Sequence, residues 1–477
     1  MDSLKQSAYY AVGIIMMKGI SLVMIPYITH KLTLAEYGSL EAIVLLADIG
    51  TILFSFGIVD AMYRYVGTAQ GDEKRNLISN CFTLSVSVCL LGGSLIAISM
   101  PWLILSLPVE FQPYQILILL IPTMIDGTIS IPLTLMRMNA LAKRFCLLNV
   151  LKAAVQALMT YGLLEAGYGI DGVLIASALS SVLLLVCLLR YQWQEMGKFG
   201  FLKHSKQLLS FGVPVLIGGA SVYMINGLDR WFLASVVGVE ELAIYAVSAK
   251  FALILGLMLQ PYALWWFPNR VAILQQKGGA KTCADKALLG VNIGTVLGTL
   301  MILTVPGFIT LILPSSYELS GSIVVVLLAI GMVKNAGDYL NLGCYSGDSS
   351  RAQMWIQAVC AVAAAGGYFV VTPIYGLWGV PVVLGLAYVL RLALLYKVSQ
   401  SLEFLPYEHS KWVTCLVIAL GALAINQIIT NMFTSLPEFI AGCLVGGASI
   451  WVFARFDVIP IPQAVFVKLG LSKYLHG

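Results

Sequence analysis

Charge is what this chain has least of. Asp, Glu, Lys and Arg make up 11% of its 477 residues, and there are 4 histidines; soluble proteins carry about 25% charged residues. No G-x-x-x-x-G-K-S/T loop occurs, which excludes ATP-driven work within the chain. The 9 cysteines (Cys81, Cys89, Cys146, Cys187, Cys283, Cys344, Cys360, Cys415 and Cys443) lie mostly inside apolar runs, and none forms a C-x-x-C pair. A disulfide framework or metal site is therefore not expected, and the cysteines read as small apolar packing residues. There is no nucleophile–histidine arrangement and no long hydrophilic connection. No cofactor is expected, and neither is an enzyme.

What the chain has instead is apolar length. Hydrophobic residues account for 59% of it, in windows long enough to cross a hydrocarbon core of about 30 Å as helices. The expected fold class is an all-α polytopic membrane protein. Its spans are expected at 8–30, 39–66, 77–107, 113–138, 145–165, 170–192, 208–236, 241–267, 287–313, 322–346, 354–374, 376–397, 411–433 and 437–456, about 14 transmembrane helices. The first carries Lys18 and ends in no small-residue cleavage site, so it reads as a span and not as a signal peptide. Odd-numbered connections hold one basic residue, Lys31, whereas even-numbered ones hold clusters such as Lys74 with Arg75, Lys143 with Arg144, and Lys198, Lys203 and Lys206. By the positive-inside rule both termini are cytoplasmic. The net charge of +5 is then an orientation signal, and no nucleic-acid partner is expected.

An internal repeat runs through these spans. Tyr168-Gly169-Ile170-Asp171-Gly172-Val173 is echoed by Tyr375-Gly376-Leu377-Trp378-Gly379-Val380, and at the same offset Arg144 falls on Arg351. At nearly that spacing, Leu32-Thr33-Leu34-Ala35-Glu36-Tyr37-Gly38 resembles Val237-Gly238-Val239-Glu240-Glu241-Leu242-Ala243. Two six-helix halves in the same orientation follow, related by an axis along the membrane normal. The expected organisation is a six-helix bundle with its connecting loop at 1–206, a second six-helix bundle at 207–400, and two additional helices with a tail at 401–477. Pro26, Pro122, Pro132, Pro214, Pro261 and Pro306 fall inside spans, where they can bend helices. Trp102, Trp265, Trp266 and Trp412 are expected at the interfaces. The 191–207 loop, with Trp193 and Phe199 among lysines, reads as an amphipathic surface linker, and the tail beyond Asp457 as a short surface helix.

The remaining polar signal is intramembrane charge, which costs roughly 2.5–3.5 kcal/mol per group at mid-helix. Lys18 lies midway along the first span, Asp48, Asp60 and Arg64 on the second, and Asp126 on the fourth. Asp229 and Arg230 lie on the seventh, Lys250 on the eighth, and Lys334 and Asp338 on the tenth. Asp60 with Arg64, and Lys334 with Asp338, stand four apart and can pair along one helix. Asp229 is a candidate for locking helices together. Lys152 and Arg391 sit near enough to the basic side to snorkel. Lys18 and Lys250 have no acidic residue three or four positions away, so contact with an anionic ligand and pairing across helices with Asp48, Asp126 or Asp229 are both open.

Several of these residues fall in a recognisable pattern. Ser210-Phe211-Gly212-Val213-Pro214, Leu228-Asp229-Arg230-Trp231-Phe232-Leu233 and Ile244-Tyr245-Ala246-Val247 with Lys250 resemble the Wzx-type polysaccharide flippases. So do Pro26-Tyr27, Leu32 to Gly38, Phe56-Gly57 and Arg64-Tyr65. These flippases belong to the multidrug/oligosaccharidyl-lipid/polysaccharide exporter superfamily. The resemblance implies a V-shaped pair of helical bundles around a cavity, in a bacterial cytoplasmic (inner) membrane. It also implies movement of a polyprenyl-pyrophosphate-linked oligosaccharide to the outer leaflet for O-antigen, capsule or exopolysaccharide synthesis. Lys18, Arg64, Arg230 and Lys250 match the positions of cavity cations, Lys334 less directly. Asp48, Asp60, Asp126, Asp229 and Asp338 are left for ion coupling or helix locking. Expected partners are the lipid-linked oligosaccharide, membrane lipids and a polysaccharide polymerase. A cation-coupled multidrug exporter or a peptidoglycan-precursor lipid flippase would share the fold. A polymerase or ligase of the same pathway would need a large outer loop.

Overall fold

A computed structural model describes residues 2–106, 111–200, 202–345, 351–432, 437–456 and 458. Among them there is no strand. The helices are α1 (Asp2–Lys31), α2 (Leu34–Ser55), α3 (Ile58–Tyr65), α4 (Gly71–Ser106), α5 (Pro113–Met138), α6 (Ala142–Glu165), α7 (Gly169–Glu195) and α8 (Ser205–Asn226). They continue as α9 (Leu228–Val236), α10 (Val239–Leu274), α11 (Gly279–Ile312), α12 (Glu318–Tyr339), α13 (Arg351–Tyr375), α14 (Gly379–Leu402), α15 (His409–Met432) and α16 (Glu438–Arg455), with short 3-10 turns between some of them. Among the described residues, 12 stretches are long and apolar enough to cross a membrane, one of which, Ala352–Leu402, holds both α13 and α14. Each of the expected spans has its helix or helix pair, and the protein is a multi-pass membrane protein. The tail expected to form a surface helix lies outside the described residues.

Two spans expected to be continuous are broken. The second divides into α2 and α3 because Phe56 and Gly57 both take the left-handed conformation, at φ 46° and 65°. The seventh divides at Gly227 into α8 and α9. All six in-span prolines, by contrast, lie within helices. With no water in hydrocarbon, a left-handed pair interrupts the backbone ladder more sharply than a single missing N–H.

The chain forms two compact units, Met1–Ala243 and Ile244–Gly477, divided within α10. This packing boundary and the repeat boundary at 206–207 are different properties of the chain. In the first unit α5 is central, packed by α2, α4 and α7, while α1 lies on α6, and α8 reaches α2, α3 and α4. In the second, α11 is the centre, with α12 on one side and the additional pair α15 and α16 on others, while α13 and α12 pack on α14. Large apolar side chains such as Val23, Leu91, Leu158, Val362 and Leu420 are exposed, as a lipid-facing surface requires. Trp266 is a correction: expected at the interface, it is fully buried, packed with Cys283, Ala287 and Tyr339. Its neighbour Trp265 stays exposed, because adjacent helical residues point in different directions.

Two local features place the functional residues. Thr33 caps α2 through a capping box with Glu36: its backbone N–H donates to Glu36 Oε2 at 2.8 Å and its hydroxyl accepts from the Glu36 N–H at 3.2 Å. Lys31, alone among the sparsely basic connections, is neutralised across helices by the Glu165 carboxylate at 2.9 Å. The connector after α7 differs from a free surface linker, because it is bonded to α4. The Gly197 N–H donates to Arg75 O at 3.0 Å, the Gly200 N–H to Thr83 Oγ1 at 3.1 Å, and the Ser205 hydroxyl to Asn80 Oδ1 at 3.2 Å. Phe199 packs against Phe82 edge to face and against Trp193 at a tilt, with centroids 6.2 and 5.9 Å away.

The break after α2 is also a contact. A Cβ on Gly57 would stand 2.7 Å from Gly212 Cα, and one on Gly212 would strike Phe56 O. Gly57→Val combines a left-handed β-branched residue with a backbone collision, and should cost about 2–4 kcal/mol. A thermal unfolding midpoint in detergent, lower than that of Gly71→Ala, checks this: Gly71 also has positive φ but has open space around it.

Candidate functional site

Intramembrane carboxylates are the expensive groups, and two of them are paired across helices. Asp126 on α5 accepts from Lys152 Nζ of α6 at 2.8 Å and from the Ser181 hydroxyl of α7 at 3.2 Å. Asp338 on α12 accepts from Arg391 Nη2 of α14 at 2.8 Å, and Arg391 Nε donates to Gln357 Oε1 of α13 at 3.0 Å. On the sequence repeat these are equivalent helix triplets: the offset that carries Arg144 to Arg351 carries Ser181 to Tyr388, one turn before Arg391. Each half thus ties its fourth, fifth and sixth spans with one ion pair and one charge-assisted hydrogen bond to an uncharged side chain.

These pairs correct two expectations. Lys152 and Arg391 do not snorkel; Arg391 is 8% exposed, fixed where a guanidinium can reach both carboxylate and amide. Lys334 does not pair with Asp338 along the helix. Its ammonium lies 5.7 Å from the Tyr388 ring centroid, because the bidentate-capable Arg391 takes the carboxylate.

Asp60 and Arg64 also fail to pair. Both are exposed on α3, but the Arg64 guanidinium lies 5.0 Å from the Phe211 ring and 5.7 Å from Tyr65. Tyr65 and Phe211 meet edge to face at 6.0 Å. Phe56-Gly57, Arg64-Tyr65 and Phe211-Gly212, distant in sequence, therefore form one contact between the α2–α3 break and α8. Gly38, at the end of another motif, leaves no room for a Cβ beside the Val239 carbonyl, so the two echoed loop motifs touch as well.

Lys18 is exposed on α1, and among the described residues no carboxylate pairs with it. Asp48 lies on α2 and Asp229 and Arg230 on α9, and the Tyr223 hydroxyl of α8 donates to Leu45 O of α2 at 3.4 Å. Asp229 is 4% exposed and Arg230 half-buried. The side chain of Asn226, expected on the Arg230 face, lies outside the described residues. Lys250, half-buried on α10, belongs to the second unit and Lys18 to the first.

The structure adds cations that the sequence concealed. Arg137 is next to the last residue of α5. Its guanidinium lies 5.7 Å from Tyr63 and 5.5 Å from Phe145, and donates to Thr134 Oγ1 at 2.9 Å. In the second unit Arg270 is buried, 4.5 Å from the Tyr345 ring and hydrogen-bonded to Asn341 Oδ1 at 2.9 Å.

Long apolar helices with a few paired charges define the fold of a multi-pass membrane protein. Residues 3–271 match the family model described as polysaccharide biosynthesis protein, and the chain belongs to that family, the one its motifs resemble. Over 287 residues it is 24% identical to Lsg locus protein 1 of Haemophilus influenzae, covering 58% of this chain and 68% of that protein. Among solved structures, lipid II flippase MurJ in an inward closed conformation matches with TM-score 0.76 at 12% identity, over 96% of this chain and 99% of that one. An inward-facing MATE-family multidrug transporter of the MOP superfamily matches with TM-score 0.57 at 15% identity, over 80% and 97% of the two chains. These likenesses show that the chain shares the fold of those proteins.

The Asp338–Arg391 pair makes a direct prediction. Arg391→Met leaves a carboxylate without its counter-charge and should destabilise by about 2 kcal/mol, less than a fully buried pair would because Asp338 is 35% exposed. Adding Asp338→Leu should recover at least half of that loss. Thermal unfolding of both variants in nanodiscs measures the difference.

Proposed function

We propose that this chain is a flippase that carries a polyprenyl-pyrophosphate-linked oligosaccharide from the inner to the outer leaflet by alternating access, for polysaccharide synthesis in a bacterial cytoplasmic membrane. The observation that supports it is the charge left over after pairing. Asp126 and Asp338 are taken by Lys152 and Arg391, whereas Lys18, Arg64 and Lys334 are exposed and no carboxylate pairs with them among the described residues. A drug exporter for organic cations calls for the reverse, acids left open and cations consumed. Family membership points the same way.

In this reading Lys18, Lys250 and Arg64 hold the pyrophosphate, with Arg230 and Lys334 as further cavity cations. Asp48, Asp60 and Asp229 serve ion coupling or helix locking. Asp126 and Asp338 hold helices together. The 1–206 and 207–400 halves are the bodies that rock against each other, and both termini are cytoplasmic. Moving about two negative charges outward, down an inside-negative potential, supplies roughly 4.6 kcal/mol per 100 mV.

A peptidoglycan-precursor flippase shares the fold, and a substrate assay separates the two. Proteoliposomes loaded with lipid-linked oligosaccharide or lipid-linked peptidoglycan precursor should show transfer of the first. Lys18→Ala with Lys250→Ala should abolish that transfer while leaving the amount of protein in the membrane unchanged. Wild-type transfer by the double variant would rule out these anchors.

A further inference from the structure

The second unit carries a buried charge that the flippase reading does not use. Arg270 stands one turn before the end of α10 and is 8% exposed. A guanidinium does not shed its proton in a protein, so burial leaves a full charge to be balanced. Asp338, on the same stretch as Asn341, is already bound by Arg391 at 2.8 Å. Asp285, Glu403 and Glu408 lie on adjoining segments, and none of them pairs with Arg270. Among the described residues, one buried cation is therefore in excess.

Its surroundings are rich in donors and poor in acceptors. Arg270 Nη1 donates to Asn341 Oδ1 at 2.9 Å, which takes up that oxygen. The Tyr345 ring at 4.5 Å and the Phe267 ring at 5.0 Å set the plane of the guanidinium. Phe267 in turn stacks on Tyr339 at 5.4 Å. Burial pushes the Tyr407 phenol up, and the Arg270 charge is near enough to oppose that shift. The hydroxyls of Tyr407 and Tyr339 and the indole N–H groups of Trp266 and Trp412, all of one cluster, are buried with no hydrogen-bond partner. Guanidinium and indole groups only donate. What the cluster lacks is an acceptor, and what Arg270 lacks is a negative charge; an anion supplies both. With Asp338 matched, a single negative charge closes the balance, and a second would itself be buried without a partner. The depth of Arg270 excludes a nucleotide or a lipid head.

We infer that Arg270 and Tyr407 hold a small monovalent inorganic anion of about the size of chloride, where α10, the turn after α12 and the start of α15 meet. This site is independent of the flippase reading.

The test is thermal unfolding of the full chain in phosphatidylcholine nanodiscs at constant ionic strength, with chloride or bromide replacing gluconate, an anion too large for a buried site. Wild type should unfold about 3 °C or more higher in saturating chloride, along a saturation curve that bromide reproduces. Arg270→Gln should lose this dependence. Tyr407→Phe should raise the half-saturating chloride concentration about fivefold or more. In gluconate that variant should be no less stable than wild type, because it removes a hydroxyl that no acceptor meets. A Tyr407 with a purely structural role would instead lower stability equally in both salts. Lys277→Gln, at an exposed cation on the connection after α10, should keep the full effect.

No chloride effect in wild type would overturn the site and leave water as the acceptor. An effect shared by Arg270→Gln, or lost in Lys277→Gln, would overturn it by assigning the effect to surface screening. Unchanged half-saturation in Tyr407→Phe would overturn it as well, and this variant carries the test should Arg270→Gln not fold. Asp348 lies outside the described residues; a chloride effect that appears only after Asp348→Asn would overturn the site by giving Arg270 a carboxylate of the chain's own.

Discussion

A charge inside hydrocarbon must find a counter-charge, water or a ligand, and that requirement governs this molecule. Each unit meets it with a carboxylate shared across helices: Asp126 with Lys152 and Ser181, and Asp338 with Arg391. These contacts cost polar groups elsewhere, since Arg391 reaches Gln357 as well. They also remove acids from the pool that could meet a cation. Lys18, Arg64, Arg137 and Lys334 stand outside those pairs, and the functional reading follows from that surplus of positive charge.

The second constraint is backbone proximity. Gly57 and Gly212 touch main chain to main chain, and the left-handed Phe56-Gly57 pair turns α3 so that Arg64 reaches Phe211. A side chain at either glycine would separate α3 from α8 and take the ring away from the guanidinium. Short motifs far apart in the chain thus report one contact.

The spans were legible because hydrocarbon imposes length and apolarity on every helix, and those are properties of contiguous residues. The sequence breaks at Phe56-Gly57 and Gly227 were hidden inside apolar runs, whereas the prolines, which looked like stronger interruptions, stay within helices. Ion pairs were legible only along a single helix. Lys334 with Asp338 satisfies that spacing, yet the carboxylate goes to Arg391, 53 residues away, because spacing carries no information about which helices become neighbours. Trp266 was lost for the same reason, and Arg137 because a cation at a helix end is what topology alone would place there.

The connector that leads from α7 to α8 has mechanical consequences. The bonds from its Gly197 and Gly200 amides to Arg75 O and Thr83 Oγ1, and from the Ser205 hydroxyl to Asn80 Oδ1, leave little slack between α4 and the start of α8. A tether would let the following helix drift freely. A stitched strut transmits displacement, so a shift at the base of α4 is passed directly to the helix whose Gly212 bears on the α2–α3 knuckle.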